Sequence, residues 1–312
     1  MIDTPEPRSP IGAGRVALVT CAELPDLYPD DRSLLALLAA AGVRAEAAVW
    51  DDPAVDWAAY DLAVLRSAWD YPARRAEFVA WARGVPRLAN PAEVVAWNTD
   101  KRYLADLEAA GVSVVHTQWV GPGDRWTPPD AGEWVIKPAV GAGSVDSGRY
   151  DAADSEHRRL AADHVARLQG ADRLAMVQPY LSAVDSDGET GLLFIGGRYS
   201  HAIRKGPMLT GPDTGLVGLF KEEAELEARQ PTPAEHSVAE RALAAVPGGA
   251  DRLLYARVDL IPGPDGDPVV VELELTEPSL FLGLAEGAGQ RFADAILSHI
   301  ALPRGPSSPR RS

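Results

Sequence analysis

From residue 15 to residue 90, short apolar runs alternate with stretches of helical periodicity. Alternation of this kind restricts the first third of the chain to a parallel sheet covered by helices. The runs at 15–20, 43–50 and 61–66 read as strands, and those at 31–41 and 74–83 as helices. The first helix carries Leu34, Leu35, Leu37 and Leu38 and ends at Gly42. A dinucleotide site in such a sheet would need G-x-G-x-x-G after the first strand. Val19-Thr20-Cys21-Ala22-Glu23 stands there instead, and Gly12-Ala13-Gly14 precedes the strand, so the domain is expected to hold another kind of ligand.

After residue 90 the pattern changes. A helix is predicted at 99–110, closed by Gly111, then a strand at 112–116 and a breaker-rich loop at 121–132. Strands dominate from 133 to 204 (133–137, 174–178, 190–195 and 198–204), interrupted by one helix near 155–169. Gly196-Gly197 is a good hairpin turn between the last two. A charged linker at 221–229, a helix at 233–246, strands at 253–260 and 268–275, and a helix at 289–300 follow. Residues 1–13 and 303–312 read as disordered ends. The expected fold class is α/β, with α+β character in the later part.

Composition narrows the function. With 312 residues and a net charge of −15, the chain lacks the basic surface that sequence-independent nucleic-acid binding needs, and it is poorly suited to anionic membranes. There is no run of ~18 apolar residues for a membrane span. Cys21 is the single cysteine, so no disulfide forms within the chain and a reducing cytoplasm fits. It follows the first strand and reads as a small buried residue rather than a nucleophile.

The cations are written unevenly. Of 30 Lys and Arg residues only four are lysine: Lys101, Lys137, Lys205 and Lys221. Lysine is a compact, mobile point charge and arginine a flat fork, so each lysine invites a reason. Lys137 ends an apolar strand just before Gly141-Ala142-Gly143-Ser144, whose backbone N–H groups can close over phosphates. Lys101 follows Asn98-Thr99-Asp100 at a helix start. Lys221 reads as a solvated residue or loop contact. No Walker loop is present, because Lys137 precedes the glycines. The strand Val269-Val270-Val271-Glu272-Leu273-Glu274-Leu275 points Glu272 and Glu274 to one face. Two carboxylates ~7 Å apart on a half-buried face are costly unless neutralised. Asp259, on the preceding strand, can face the same point, and three such carboxylates suit Mg2+ together with phosphate oxygens. A charged, solvent-facing sheet edge is the other reading of the pair.

In chain order, Lys101, Val135-Ile136-Lys137-Pro138, the 141–144 loop, Val177-Gln178-Pro179-Tyr180-Leu181, Asp187-Gly188-Glu189, Arg204-Lys205, Arg257-Val258-Asp259, Glu272-Leu273-Glu274 and Thr276-Glu277-Pro278-Ser279 resemble the ATP-grasp superfamily over roughly residues 86–300. The segment is also similar to the ATP-binding part of glutathione synthetase, except that Glu274 stands where an Asn is usual. The resemblance implies an N-terminal parallel βαβ substrate domain (14–90), then the two-subdomain ATP-grasp fold. Its central and lid subdomain with the glycine loop would span 91–185, and its metal-bearing C-terminal subdomain 186–302. It implies ATP and Mg2+ as cofactors, with two ions held by Asp259, Glu272 and Glu274. Lys101 and Lys137 would contact the phosphates, with Gly141, Ala142, Gly143 and Ser144 closing over them. Gln178, Pro179, Tyr180 and Leu181 would read adenine, and Glu189 would hold ribose. Arg204, Lys205 and Arg257 would serve the γ-phosphate and an acyl phosphate. Arg66 and Asp70, beyond the third strand, are the substrate candidates, with Thr276 and Ser279. Trp69 reads as packing, and residues 207–220 as either a lid or a surface connection. Family members are commonly dimers, which makes a homodimer one candidate assembly, although no interface can be read from the sequence.

The activity so implied is a carboxylate–amine ligase acting on a small amino-acid-like molecule through an acyl phosphate. The phrases Trp50-Asp51-Asp52-Pro53, Arg66-Ser67-Ala68-Trp69-Asp70-Tyr71 and Trp97-Asn98-Thr99-Asp100-Lys101 are similar to bacterial cycloserine-biosynthesis ligases of the O-ureidoserine cyclo-ligase type. Those close a ring with the substrate's own nitrogen. An intermolecular amino-acid or dipeptide ligase, a phosphotransferase and a non-catalytic nucleotide-binding module remain as alternatives.

Overall fold

The computed structural model describes residues 14–213, 215, 218–221 and 225–301. Both terminal segments predicted to be disordered lie outside the described residues. The first domain contains β1 (Arg15–Thr20), α1 (Ser33–Ala40), β2 (Arg44–Val49), β3 (Leu62–Ser67), α2 (Arg75–Gly84) and β4 (Leu88–Ala89). Its strands form a four-stranded parallel sheet in the order β2-β1-β3-β4. A parallel sheet is covered on both faces, and β1 and β3 accordingly carry unbroken apolar runs. Val16, Leu18, Leu62 and Val64 face one core, which includes Leu34 and Leu38 of α1; Ala17, Val19, Ala63 and Leu65 face another with Phe78 and Ala82 of α2. Cys21 is fully buried, and burial pushes its thiol up to about 11, as suits packing rather than nucleophilic attack.

Two short helices follow, α3 (Ala92–Asn98) and α4 (Tyr103–Ala109). The predicted helix at 99–110 is thus broken at its start, and α3 was not anticipated. Both pack with the C-terminal sheet: Val94, Tyr103, Leu104 and Leu107 share a core with Val258, Val270 and Leu273. The strand expected at 112–116 is only a bridge between Val114 and Val270. The next layer holds β5 (Gln118–Val120), β6 (Glu133–Pro138), β7 (Gly148–Asp151), α5 (Ser155–Gly170) and β8 (Ala175–Pro179), with sheet order β5-β8-β6-β7, all antiparallel. Asp154 caps α5 by accepting from the Glu156 and His157 N–H groups. Ile136 of β6 points to α5, packing with Val165 and Leu168, so alternation turns Val135 and Lys137 the other way.

The last layer comprises α6 (Ala183–Asp187), β9 (Glu189–Ile195), β10 (Arg198–Lys205), β11 (Glu227–Arg229), α7 (Pro233–Ala244), β12 (Tyr255–Pro262), β13 (Pro268–Glu274) and α8 (Ala288–Ala301). Its five strands are antiparallel in the order β11-β10-β9-β12-β13. Gly196 and Gly197, at φ +58° and +74°, make the β9–β10 turn where it was expected. The N-terminus of α7 closes a capping box, with Thr232 accepting from the Glu235 N–H and Glu235 accepting from the Thr232 N–H. The helix α8 leaves this layer to pack beside α1, where Phe292 and Ile296 join the core of the first domain.

Candidate active site

The five-stranded sheet has one polar row. Cross-strand pairing sets Lys205 beside Glu189, Asp259 beside Glu272 and Arg257 beside Glu274, with Gly191 opposite Asp259. A Cβ at Gly191 would stand 3.0 Å from Asp259 Oδ1 and 3.1 Å from Ile203, so only glycine leaves room for this crowded face. The row faces a cavity of about 1000 Å3, whose opposite wall is the β6–β8 sheet with Val135, Lys137, Gln178, Pro179, Tyr180 and Leu181. That volume is at the upper end of the ~300–1,000 Å3 common for small-molecule sites. The loop Gly141-Ala142-Gly143-Ser144 lines one side, and Tyr28 and Trp69 of the first domain line another.

All four lysines of the chain border this one cavity. Asn98 positions the first of them: its Nδ2 donates to the Leu273 carbonyl at 2.7 Å and its Oδ1 accepts from the Leu275 N–H at 2.7 Å, pinning the end of α3 to β13. Lys101 then donates to the Gly141 carbonyl at 2.6 Å and pairs with Glu272 at 3.0 Å. Burial pulls its ammonium down, yet Glu272, aided by Glu274 and Glu277, holds it above its ordinary value. Burial holds Lys137 below its ordinary value, with Lys101 adding repulsion against the pull of Glu272. Lys205 is ion-paired to Glu189 and, at 2.8 Å, to Asp259. Lys221 was expected to be solvated or a loop contact. Its Nζ donates to the Ser147 carbonyl at 2.8 Å on the cavity rim, while its N–H donates to the Gly143 carbonyl at 2.8 Å. Among the described residues of 207–220, Met208, Leu209 and Phe220 also line the cavity. Phe220 packs edge-on against Trp69 and Tyr28, with ring centroids 5.0 and 5.7 Å away.

The three strand carboxylates share the same wall but do not converge as a finished metal site; among the described residues no group of three Asp, Glu, His or Cys side chains does. Each is drawn to a cation instead. Arg257 Nε lies 2.9 Å from Asp259 Oδ1, Arg257 Nη2 lies 2.5 Å from Glu274, and Lys101 holds Glu272. Burial opposes ionisation of Asp259, but Arg257 and Lys205 keep it well below the usual carboxylate range. Burial pushes Glu274 up to about 8 despite Arg257, and the charges of Glu272 and Asp259 add to the rise. Burial likewise raises Glu189 to about 7 against Lys205. Oxygen donors with this excess of buried negative charge fit a hard divalent cation.

In the segment 177–181, which leaves β8 along the cavity, the Gln178 side chain donates to Thr117 Oγ1 at 2.8 Å, and the Tyr180 ring lies 3.6 Å from the Arg149 guanidinium carbon.

Several predicted site residues lie elsewhere. Arg66 is not at the cavity: it is 1% exposed and donates to Asp31 at 2.8 Å and to the Pro278 carbonyl at 2.7 Å. Its fork therefore ties the first domain to the chain after β13. Asp70 accepts from Trp50 Nε1 at 2.8 Å and pairs with Arg74 at 3.1 Å, also away from the cavity. Thr276 is buried, its hydroxyl donating to Asn98 Oδ1 at 3.2 Å. Ser279 does line the cavity, and its carbonyl accepts from Arg257. Strand alternation puts Arg204 on the face opposite Lys205, where it donates to the Asp187 and Ser186 carbonyls at 2.9 and 3.2 Å. Trp69, read as packing, borders the cavity, as does Glu277, which had been noted only as part of a phrase. Each stands one residue from a predicted substrate residue, Trp69 from Asp70 and Glu277 from Thr276.

Two antiparallel sheets closing on a cavity, beside a parallel-sheet domain, are the architecture of the ATP-grasp enzymes. An ATP-grasp RimK-domain protein from Sphaerobacter thermophilus shares it with a TM-score of 0.64 at 20% identity, covering 93% of this chain and 100% of that one. D-alanine–D-alanine ligase from Bacillus anthracis shares it with a TM-score of 0.59 at 14% identity, covering 92% and 97%. A family model described as "D-cycloserine synthetase DcsG, N-terminal domain" matches residues 16–90. Cycloserine biosynthesis protein DcsG of Streptomyces lavendulae is 40% identical over 302 residues, which are 92% of this chain and 99% of that protein. The crystal structure of D-cycloserine synthetase DcsG superimposes with a TM-score of 0.79 at 37% identity, covering 92% of this chain and all of that one. The chain belongs to the DcsG family of ATP-grasp ligases and is an ATP-dependent enzyme that forms carbon–nitrogen bonds in antibiotic biosynthesis. Among the described residues no helix is long and apolar enough to cross a membrane.

Proposed function

We propose that the enzyme activates the carboxylate of a small amino-acid-like substrate as an acyl phosphate and then closes a ring amide, as a cyclo-ligase of cycloserine-type biosynthesis. The observation that carries this reading is the gathering of all four lysines, Arg257 and the three strand carboxylates around one cavity. Five cationic side chains face six carboxylates there, so a triphosphate fits only if it brings cations of its own. Similarity to D-cycloserine synthetase supports the intramolecular outcome.

In this reading the backbone of Gln178, Pro179, Tyr180 and Leu181 holds the purine edge against Val135, and Glu189 holds the ribose. Lys101, Lys137, Lys221 and the glycine loop hold the phosphates. Lys205 and Arg257 neutralise charge on the phosphoryl group in flight, the main means of catalysis in such transfers. Asp259, Glu272 and Glu274 would hold two Mg2+, which when bound supply neutralisation and orientation of the phosphates. A substrate carboxylate oxygen attacks the γ-phosphorus and the bond to ADP breaks. The substrate's nitrogen then attacks the acyl carbon, phosphate leaves, and the nitrogen gives up its proton. No protein nucleophile takes part. The first domain, the glycine-loop layer and the carboxylate sheet would serve as substrate, lid and metal parts respectively.

The test is phosphate release from ATP and Mg2+ with O-ureidoserine and a panel of amino acids and amines, with mass spectrometry of products. Lys137→Ala and Glu272→Gln are each expected to lose at least ~100-fold in kcat. A ring-closed product supports the cyclo-ligase. An amide joining two substrates would establish an intermolecular ligase, and a stable phosphorylated product a phosphotransferase.

A further inference from the structure

Two carboxylates in the cavity, Asp30 and Glu277, have no part in the reading above, and Asp30 already accepts from the Leu282 and Gly283 N–H groups. Glu277 lies in the chain leaving β13 and borders the cavity. Trp69 Nε1 donates to its backbone carbonyl at 2.9 Å, which anchors the residue to the first domain. The Tyr71 phenol, itself 3% exposed, lies against its carboxylate. One carboxylate oxygen, Oε2, is buried and has no hydrogen-bond partner among the described residues, while the residue as a whole is only half-buried. A buried polar atom without a partner is rare in a folded protein, and a carboxylate left this poorly satisfied where it borders a cavity is offset by a ligand that pairs with the group. Lys101 is near, but its ammonium is already held by Glu272 and the Gly141 carbonyl.

The chemistry of the missing group is constrained. An anion would be repelled by Glu277, and an apolar group would leave its carboxylate unpaired. A cation carrying N–H donors satisfies both demands. The supports of Glu277 also place it. Trp69 and Tyr71 belong to the first domain, whereas the end of the cavity along 177–181 is built by Val135, Gln178 and Leu181. The group therefore belongs to the second substrate rather than to the nucleotide. An amino-acid-like substrate carries such a group in its α-ammonium.

We propose that Glu277 binds the α-ammonium of the amino-acid substrate, with Tyr71 orienting the carboxylate, and that this pair makes the enzyme reject carboxylic acids lacking an amine. The inference rests on the amino-acid ligase reading above. Burial pushes the Glu277 carboxyl up to about 7 against the pull of Lys101, and an ammonium ligand would favour its ionised form.

The test uses the full chain as wild type, Glu277→Gln and Tyr71→Phe. ADP formation is measured with O-ureidoserine and with its des-amino analogue, and ATP affinity is measured by equilibrium binding. Wild type should prefer the amino acid by at least ~100-fold in kcat/KM, because a site built for a donor rejects the analogue that lacks it. Glu277→Gln should raise KM for the amino acid at least ~10-fold, collapse the preference to within ~3-fold and leave ATP affinity within ~2-fold, with Tyr71→Phe intermediate. Equal use of both compounds by wild type, or an undiminished preference in Glu277→Gln, overturns the proposal while leaving the ligase intact. If Glu277→Gln fails to fold, the wild-type preference and Tyr71→Phe decide. ATP binding without ADP formation on any amino acid would refute the ligase reading and this inference with it.

Discussion

Replacing Arg66 by methionine should loosen the seam between the first domain and the chain after β13, without touching substrate affinity. The side chain is fully enclosed, donating to Asp31 at 2.8 Å, to the Leu65 carbonyl at 3.1 Å and to the Pro278 carbonyl at 2.7 Å. Its guanidinium also lies 5.1 Å from the Tyr255 ring centre and 5.4 Å from that of Phe292. Methionine matches its length but strands the Asp31 carboxylate, and breaking one half of a buried pair costs ~3–5 kcal/mol. Burial already raises the Asp31 carboxyl even with Arg66 beside it, so Asp31 can take up a proton and recover part of that cost. A net loss of ~3 kcal/mol corresponds to a fall of roughly 5–10 °C in Tm. Removing both charges, with Asp31→Leu beside Arg66→Met, should restore at least ~1.5 kcal/mol of the sum of the single losses. Thermal melts of the three variants measure this, and steady-state kinetics should show KM for the carboxylate substrate within ~3-fold of wild type. An unchanged Tm with KM raised ~10-fold or more would refute the reasoning and make Arg66 a substrate clamp after all.

Gly143→Ala should raise KM for ATP ~10-fold, because the residue sits at φ +58° and a Cβ would lie 2.4 Å from Phe220 Cβ and 2.6 Å from the Leu219 carbonyl. An unaltered KM would mean that the 218–221 segment does not rest on the glycine loop during turnover. Lys221→Ala should lower kcat/KM for ATP by ~10–100-fold, and wild-type kinetics in that variant would return Lys221 to the surface. Burial holds His164 down to about 4, and its Nδ1 shares a hydrogen bond of 2.7 Å with the Tyr150 hydroxyl. An unfolded histidine titrates near ~6.5, so only the unfolded chain gains this proton between about pH 6.5 and 4. Stability from this group is complete above that window and falls by up to ~3 kcal/mol as pH drops through it. Denaturant melts across that range should show a shallower decline in His164→Leu; an identical slope in both proteins would sink the assignment.

The elements that could be read from the chain are those whose signal is local. The strands β1 and β3 were placed to within a residue, because a strand buried on both faces must be apolar throughout and the turns around it are polar. Glu272 and Glu274 could be assigned to one face because side chains alternate. The same rule, applied to Arg204-Lys205, would have separated a pair that had been grouped by adjacency. Other elements had no such signal. The helix α3 is seven residues long and β7 four, too short for a period to show. The apolar residues of α3 and α4 share a core with residues of both antiparallel sheets, Met176 on one side and Val258, Val270 and Leu273 on the other, a meeting that no local pattern shows. Trp69 and Glu277 stand beside Asp70 and Thr276, and nothing local distinguishes a residue facing a cavity from its neighbour in the chain.

By itself the chain determined which chemistry was available and in what order: a scarce set of lysines, a glycine loop, a carboxylate pair on one strand face, and a parallel-sheet domain ahead of them. Residue identity and short-range periodicity are enough for that, since they follow from side-chain chemistry and backbone geometry alone. Tertiary structure decided which charges meet. Arg66 and Asp70 are drawn out of the site because Arg66 finds a carbonyl 212 residues away and Asp70 finds Trp50 and Arg74, whereas Lys221 is drawn in by Ser147. A charged group settles where its cost of burial is offset, and for these residues the offsetting partner is distant in the chain and adjacent only in the fold.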